Sequence, residues 1–161
     1  MKRGIIPLSM LCMVGFSVQA NPNSNQEQSI KEVYDFLKKC GHYFIATIDG
    51  DQPRVRPFGT AAIFEGKLYI QTSKQKNVSK QIAKNPKVEI CALNKELNRW
   101  VRIEAILVND DSIEAKRYML EEYPELKSMY SAEDSNTQVL YLKDATATFY
   151  SYTDESKVVR F

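Results

Sequence analysis

Residues 69–93 read YIQTSKQKNVSKQIAKNPKVEICAL, two strand-like segments joined by a short lysine-rich one. The apolar and aromatic residues up to Thr72 are typical of a strand, and residues 88–93 resume that character. Between them, residues 78–84 predict a short helix that Asn85-Pro86 ends, because proline cannot continue it. The stretch therefore predicts a strand, a short helix and a second strand in direct succession.

Strand-like segments also dominate the chain on both sides of this stretch. Asp49-Gly50-Asp51 and Glu65-Gly66-Lys67 lie between β-branched and aromatic segments, a pattern typical of hairpin turns. One amphipathic helix is predicted over residues 30–40, and another begins near Ser112. The predicted strands are residues 42–48, 54–64, 68–72, 88–93, 99–108, 137–142 and 146–152. Roughly seven strands and three short helices, without regular alternation of the two, predict a mainly β protein, a β-barrel with peripheral helices.

The first twenty residues have the features of a secretory signal. Two basic residues precede an apolar run, and Val18-Gln19-Ala20 is typical of a signal-peptidase site. The run is too short for a permanent membrane span. We therefore predict an exported protein, periplasmic or extracellular, with no stable membrane span after cleavage; an uncleaved signal that anchors it to the membrane is the alternative. The predicted parts are a signal peptide over residues 1–20, a polar leader over 21–28 and one domain over 29–161.

Removal of the signal leaves a neutral domain. Of the 22 Lys and Arg residues, Lys2 and Arg3 lie in the signal, which leaves 20 against 20 Asp and Glu. Net charge therefore gives no support to nucleic-acid binding.

The remaining lysines are unevenly distributed. Residues 73–88 contain five lysines and no Asp or Glu. Thr72 and Ser73 offer hydroxyl groups at a strand end, and the amides of Asn77 and Val78 lie at a helix start, where free N–H groups favour phosphate. The alternative is a solvated helix face, since lysines recur here at helical spacing. No aromatic residue lies among them, which argues against a stacking groove for single-stranded nucleic acid.

A second unusual segment is Pro53-Arg54-Val55-Arg56-Pro57-Phe58-Gly59, within a predicted strand. Two prolines and a glycine predict a locally broken ladder, at a bulge or where a ligand meets the backbone. Alternation places Arg54, Arg56 and Phe58 on one face. Arginines inside a barrel need an anion or an electron-rich ring as partner, whereas on a solvated outer face they need none.

The chain has few groups suited to acid–base catalysis or metal binding. His42 is the only histidine, and no Cys-x-x-Cys pair is present, so a catalytic triad or a metal site is not expected. Cys40 and Cys91 are either two buried thiols or one disulfide, a choice that the sequence leaves open. An enzyme of this composition needs an external cofactor for its chemistry. Trp100 fits a core or an interface equally well.

RVRPFG, YIQTSKQKNVSKQIAKNPKVEICAL and RWVRIEA, taken in this order, resemble the pyridoxamine 5'-phosphate oxidase-like FMN-binding split barrels. The similarity covers residues 29–152 and is greatest to the short bacterial members grouped with nitroimidazole-reductase and general-stress proteins. It implies a homodimer with two FMN molecules at the subunit interface. It also implies an oxidoreductase that passes electrons from a reduced nicotinamide or other donor to a small oxidised acceptor. A flavin- or haem-binding module without turnover is the alternative.

The resemblance also assigns the cofactor-binding residues. The isoalloxazine ring would lie along Arg54, Val55, Arg56, Pro57, Phe58 and Gly59, with Arg56 near its pyrimidine edge. The ribityl-phosphate end would meet Gln71, Thr72 and Ser73, the phosphate would be held by Lys76, Asn77 and Lys80, and Trp100 would come from the partner subunit. Replacement of Lys80 by alanine is then predicted to weaken FMN binding.

Two departures limit what the resemblance carries over. The chain ends in SKVVRF, without the histidine that the oxidases carry in their C-terminal substrate segment, so genuine pyridoxamine 5'-phosphate oxidase activity is not expected. Lys76-Asn77 stands where the oxidases have a Ser-Arg pair, so the phosphate contacts differ in detail.

Overall fold

The computed structural model describes residues 22–161, and the predicted signal peptide lies outside them. The helices are α1 (Pro22–Cys40), α2 (Asn77–Lys84) and α3 (Ile113–Glu122), with a 3-10 helix at Pro124–Ser128. The strands are β1 (Tyr43–Asp49), β2 (Gln52–Phe58), β3 (Ala62–Phe64), β4 (Lys67–Ser73), β5 (Lys87–Asn94), β6 (Arg99–Asp110), β7 (Thr137–Ser151) and β8 (Lys157–Arg160). No helix in this part of the chain is long and apolar enough to cross a membrane.

These strands form one antiparallel sheet in the order β2-β1-β5-β6-β7-β4-β3, and β8 pairs with β7. The edge strands β2 and β3 are joined by Gly59, Thr60 and Ala61 alone. The four Cα–Cα steps from Phe58 to Ala62 span at most about 14 Å. The sheet therefore curls until its two edges approach each other, and the short connection crosses the gap between them. This is the predicted mainly β architecture, a β-barrel split between β2 and β3, with peripheral helices.

The core lies inside the curled sheet, where α1 covers it. Ile30, Val33 and Leu37 recur at helical spacing on α1, and all three are buried. Burial of a leucine side chain such as that of Leu37 contributes about 2 kcal/mol. A smaller apolar cluster lies between α3 and the strands β4 and β7. The two clusters pack on opposite faces of β4, one on Leu68 and Ile70 and the other on Tyr69.

The first helix begins at Pro22, whereas the sequence predicted a polar leader over 21–28 and a helix from residue 30. Proline is favourable at the first position of a helix because its missing N–H would have no partner there. The Ser29 hydroxyl donates to the Asn25 carbonyl oxygen at 2.9 Å, so Ser29 lies within the helix and is not its cap. Residues 23–28 are exposed, so this extension adds nothing to the core.

The strands also differ from the prediction at three places. The predicted strand over residues 54–64 is two strands, because the chain leaves the sheet after Phe58 and rejoins it at the opposite edge. The predicted strands over 137–142 and 146–152 are one strand, β7, which passes through Asp144 at φ 51°. The C-terminal β8, which was not predicted, pairs with residues 146–149 of β7.

Candidate functional site

A cavity of about 260 Å³ lies where the end of β2, the end of β4, the start of α2 and the segment after α3 meet. It is lined by Arg56, Pro57, Phe58, Gly59, Thr60, Gln71, Thr72, Lys76, Val78, Leu126, Met129 and Tyr130. No Asp or Glu is among them, and Arg56 and Lys76 contribute positive charge. A larger cavity of about 530 Å³ is lined by residues of β1, β5, β6 and β7, but its three carboxylates, Glu89, Glu104 and Asp144, outnumber its one lysine, Lys87. The smaller cavity is therefore the one suited to an anionic ligand.

Gln71 is the most informative residue of this cavity. Its side chain is buried, with 6 % of the residue exposed, and neither its amide nitrogen nor its amide oxygen has a hydrogen-bond partner within residues 22–161. Leaving such a group without a partner costs about 1–3 kcal/mol. An amide offers a donor and an acceptor together, so a ligand with both kinds of group on one edge would satisfy it.

The start of α2 provides the second feature. Lys76 occupies the N-cap position and has no side-chain hydrogen bond to the first turn, and that turn contains no acidic residue. The first amides of a helix have no intrahelical acceptor, and the helix dipole makes this end positive. Lys76 and Val78 both line the cavity. An anion placed there would meet unpaired N–H groups and a lysine.

Arg56 lies on the inner face of β2, which settles the choice that the sequence left open between the barrel interior and a solvated outer face. Its register partner is Ile45, and its guanidinium donates to the Thr47 hydroxyl at 2.6 Å and to the Gln81 amide oxygen at 2.7 Å. Gln81 is on α2, so Arg56 links the strand to the lysine-rich helix. Within the described residues no carboxylate pairs with it, whereas Arg54 lies 3.7 Å from Asp49. Partial burial, followed by the Arg54 charge, lowers the pKa of Arg56, and an anion in the cavity would offset that cost.

Two tyrosine hydroxyls hold the connection from Gly59 to Ala61. The Tyr43 hydroxyl donates to the Thr60 carbonyl oxygen, and the Thr60 hydroxyl accepts from the Gln71 N–H at 2.9 Å. The Tyr123 hydroxyl accepts from the Ala61 N–H at 2.8 Å and donates to the Ala61 carbonyl oxygen at 3.0 Å. These contacts replace the ladder that the gap between β2 and β3 interrupts. They also fix one wall of the cavity.

The structure brings some of the predicted site residues together and places others elsewhere. The cavity contains Arg56, Pro57, Phe58, Gly59, Gln71, Thr72 and Lys76. The predicted residues that do not line it are Arg54, Val55, Ser73, Asn77, Lys80 and Trp100. Sequence reasoning missed Leu126, Met129 and Tyr130, since nothing near them indicates that they approach β2 and β4.

Two of the residues outside the cavity have contacts of their own. The Ser73 hydroxyl donates to the Asn136 side-chain oxygen at 2.6 Å. Trp100 lies on the outer face of the sheet, stacked on Tyr150 with ring centroids 5.2 Å apart. Trp100 therefore cannot belong to the cavity of its own chain.

Lys76 is expected to contribute more to anion binding than Lys80. Lys76 lines the cavity, while Lys80 is exposed on α2 one turn further along. In the FMN complex that the sequence resemblance implies, replacement of Lys76 by alanine should raise the dissociation constant for FMN about tenfold, and replacement of Lys80 about threefold. Fluorescence titration of FMN checks both values, with Lys84→Ala on the same helix as the control that leaves binding unchanged. An effect of Lys84→Ala as large as that of Lys76→Ala would mean that only the overall charge matters.

The comparisons with known proteins agree with this fold. A family model described as "Pyridoxamine 5'-phosphate oxidase" matches residues 29–151. A NimC/NimA family protein from Clostridium acetobutylicum is 42% identical, with a TM-score of 0.83 over 86% of this chain and 96% of that one. No curated protein matches the sequence.

Two more distant solved structures share the fold. A pyridoxamine 5'-phosphate oxidase-related, FMN-binding protein from Nostoc punctiforme is 17% identical, with a TM-score of 0.57 over 91% of this chain and 99% of that one. A heme-binding protein from Mycobacterium smegmatis is 12% identical, with a TM-score of 0.59 over 89% of this chain and 60% of that one. The match over residues 29–151 confirms the family predicted from the three sequence motifs: the chain belongs to the pyridoxamine 5'-phosphate oxidase family of split barrels.

Proposed function

We propose that this protein binds FMN in the cavity between β2, β4 and α2 and acts as an FMN-dependent oxidoreductase. The observation that carries the proposal is the buried amide of Gln71, which lacks partners in a cavity with two cationic residues and no carboxylate. A flavin ring edge offers adjacent donors and acceptors, and a flavin phosphate supplies the anion that this cavity lacks. The residues present therefore fit the cofactor.

Each part of the cavity has a role in this proposal. Gln71, which the resemblance assigns to the ribityl-phosphate end, would instead orient the ring together with the backbone of Pro57 to Gly59, because its buried amide lacks partners. Arg56 would supply positive charge beside the ring. Lys76 and the first amides of α2 would hold the phosphate. When bound, FMN supplies the electron transfer between a reduced nicotinamide or other donor and a small oxidised acceptor. The residues of the protein bind the cofactor, orient it and exclude water from the site.

We further propose that the protein works as a homodimer through the outer face of the sheet. Phe44, Val55 and Leu93 lie on that face with 53 %, 65 % and 49 % of their surfaces exposed. Trp100 and Tyr150 extend the apolar surface on β6 and β7. Contiguous exposed apolar surface of this kind is typical of protein interfaces. In such a dimer, Trp100 would reach the flavin of the partner subunit.

Phe44→Lys is expected to convert the dimer to a monomer, because it places a charge in the middle of the apolar surface. The dissociation constant for FMN should rise at least tenfold in parallel, since the partner would complete the site. Analytical ultracentrifugation and FMN titration measure the two effects. Ile113→Lys, at an exposed residue on α3 away from this surface, is the control. Wild-type protein that sediments as a monomer would contradict the dimer.

The absorption spectrum of the purified protein tests the cofactor. Flavin bands, or uptake of added FMN by protein purified without it, are expected. Anaerobic bleaching by a reduced nicotinamide then distinguishes an oxidoreductase from a flavin carrier. A Soret band would indicate haem, for which His42, beside Gly59 of the cavity wall, is the only histidine available. Colourless protein that takes up neither cofactor would overturn the proposal.

A further inference from the structure

Asn136 contacts the beginning of the lysine-rich segment, although more than sixty residues separate the two in sequence. Its side-chain oxygen accepts from the Ser73 hydroxyl at 2.6 Å and from the Gln75 N–H at 3.3 Å. Its backbone oxygen accepts from the Lys74 N–H at 2.8 Å. Asn136 therefore binds three consecutive residues, the last residue of β4 and the first two of the connection to α2.

Asp134 holds Asn136 in this place. Its carboxylate accepts from the backbone N–H of Asn136 at 2.8 Å and from that of Ser131 at 2.8 Å. It also accepts from the N–H and the hydroxyl of Thr137. These hydrogen bonds, that from the Thr137 N–H first, lower the pKa of Asp134 to about 2. Hydrogen bonds within the loop therefore hold its conformation, in addition to the contacts that Asn136 makes with residues 73–75.

The residues that Asn136 contacts lie directly before Lys76, one of the two cationic residues of the cavity. The Lys76 N–H donates to the Ser73 carbonyl oxygen at 3.1 Å, which closes a turn over residues 73–76. Lys76 is the last residue of that turn and occupies the N-cap position of α2. Asn136 and Ser73 do not themselves line the cavity. The Ser73 hydroxyl hydrogen is directed to Asn136 and is not available to a ligand.

We infer that Asn136 is a positioning residue for phosphate binding: it holds the turn over residues 73–76 so that Lys76 and the start of α2 face the cavity. The inference rests on the proposed binding of FMN. It extends the site to the loop before β7. The hydrogen bonds of Asn136 stabilise the phosphate-binding conformation in advance, which lowers the entropic cost of binding.

Two flavins separate this role from a purely structural one. FMN carries the phosphate and riboflavin does not, so a change in the turn should affect FMN alone. Asn136→Ala removes two side-chain hydrogen bonds, and we expect it to raise the FMN dissociation constant about tenfold. The riboflavin dissociation constant should stay within twofold of the wild-type value. Ser135→Ala, at the exposed neighbouring residue, should change neither value.

Asn136→Asp keeps an acceptor for both Ser73 and Gln75, so it should bind FMN more tightly than Asn136→Ala does, although the added negative charge opposes full recovery. Ser73→Ala removes the other end of the shorter hydrogen bond and should also weaken FMN selectively. Its effect should be less than additive with that of Asn136→Ala. If Asn136→Ala does not fold, FMN and riboflavin titrations of Ser73→Ala and Asn136→Asp test the inference in its place.

Two results would overturn the inference while leaving the proposed function standing. One is equal loss of FMN and riboflavin binding in Asn136→Ala. The other is unchanged FMN binding in both Asn136→Ala and Ser73→Ala. Wild-type protein that binds neither flavin would overturn the inference and the proposed function together.

Discussion

Arg56→Met should raise the dissociation constant for FMN about 30- to 100-fold, the largest effect on binding expected from a single substitution. Methionine keeps the apolar stem of the side chain and removes the guanidinium. The substitution deletes a positive charge from the cavity wall and the hydrogen bonds to Thr47 and Gln81. The expected loss of affinity corresponds to one charged hydrogen bond between the guanidinium and the ligand, which is worth about 1.5–3 kcal/mol, or a factor of roughly 10 to 150 in the dissociation constant.

Arg54→Met is the matched control for this prediction. Arg54 lies on the same face of β2 two residues away, but its side chain is 54% exposed and its ion pair with Asp49 is 3.7 Å long. An exposed pair of this kind contributes little, so we expect less than a threefold change in the dissociation constant. Fluorescence titration of FMN measures both variants. An equal rise of the FMN dissociation constant in both variants would contradict the role proposed for Arg56, because it would show that any arginine on this face contributes equally.

Tyr123→Phe should lower the free energy of unfolding by about 2–4 kcal/mol, a large loss for the removal of one oxygen atom. Ala61 is buried, and the substitution leaves both its N–H and its carbonyl oxygen without partners. Lys38 also loses a hydrogen bond of 3.0 Å, the main cause of the raised pKa of its ammonium group. Urea unfolding followed by circular dichroism measures the change.

Tyr118→Phe provides the comparison, since Tyr118 lies on α3 and its hydroxyl makes no hydrogen bond within residues 22–161. Its free energy of unfolding should stay within about 0.5 kcal/mol of the wild-type value. A loss below 0.5 kcal/mol in Tyr123→Phe would contradict the role assigned to this hydroxyl. FMN binding should weaken in Tyr123→Phe as well, because Gly59 and Thr60 belong to the same connection.

Much of the site was predictable because its signals are local. Strand alternation placed Arg56 and Phe58 on one face, and both line the cavity. The change from a strand to a helix start within residues 72–78 favoured an anion site, and Thr72 and Lys76 both line the cavity. Lysine spacing, however, could not show that Lys76 lines the cavity and Lys80 does not, because this difference depends on which side of α2 faces β2. It also could not show that Lys74 pairs with Asp111 at 2.6 Å.

The extension of α1 to Pro22 and the continuous course of β7 were missed for a different reason. Polar residues such as Asn25 are compatible with a helix as well as with an irregular leader, so local composition could not place the start of α1. In β7, Asp144 resembles a turn residue, but β6 pairs with the strand on both sides of it. Tertiary pairing overrode local preference in that case.

The sequence by itself determined the class of fold, the positions of most helices and strands, and the segments that carry charge and strand breaks. These features depend on periodicity and turn residues, which act over a few neighbours along the chain. Only the tertiary structure decided that Tyr123 binds Ala61, that Asn136 binds Ser73 and that Met129 lines the cavity. Those contacts join residues more than fifty positions apart, and they exist because the curled sheet brings β2, β4 and the segments before β7 to one place.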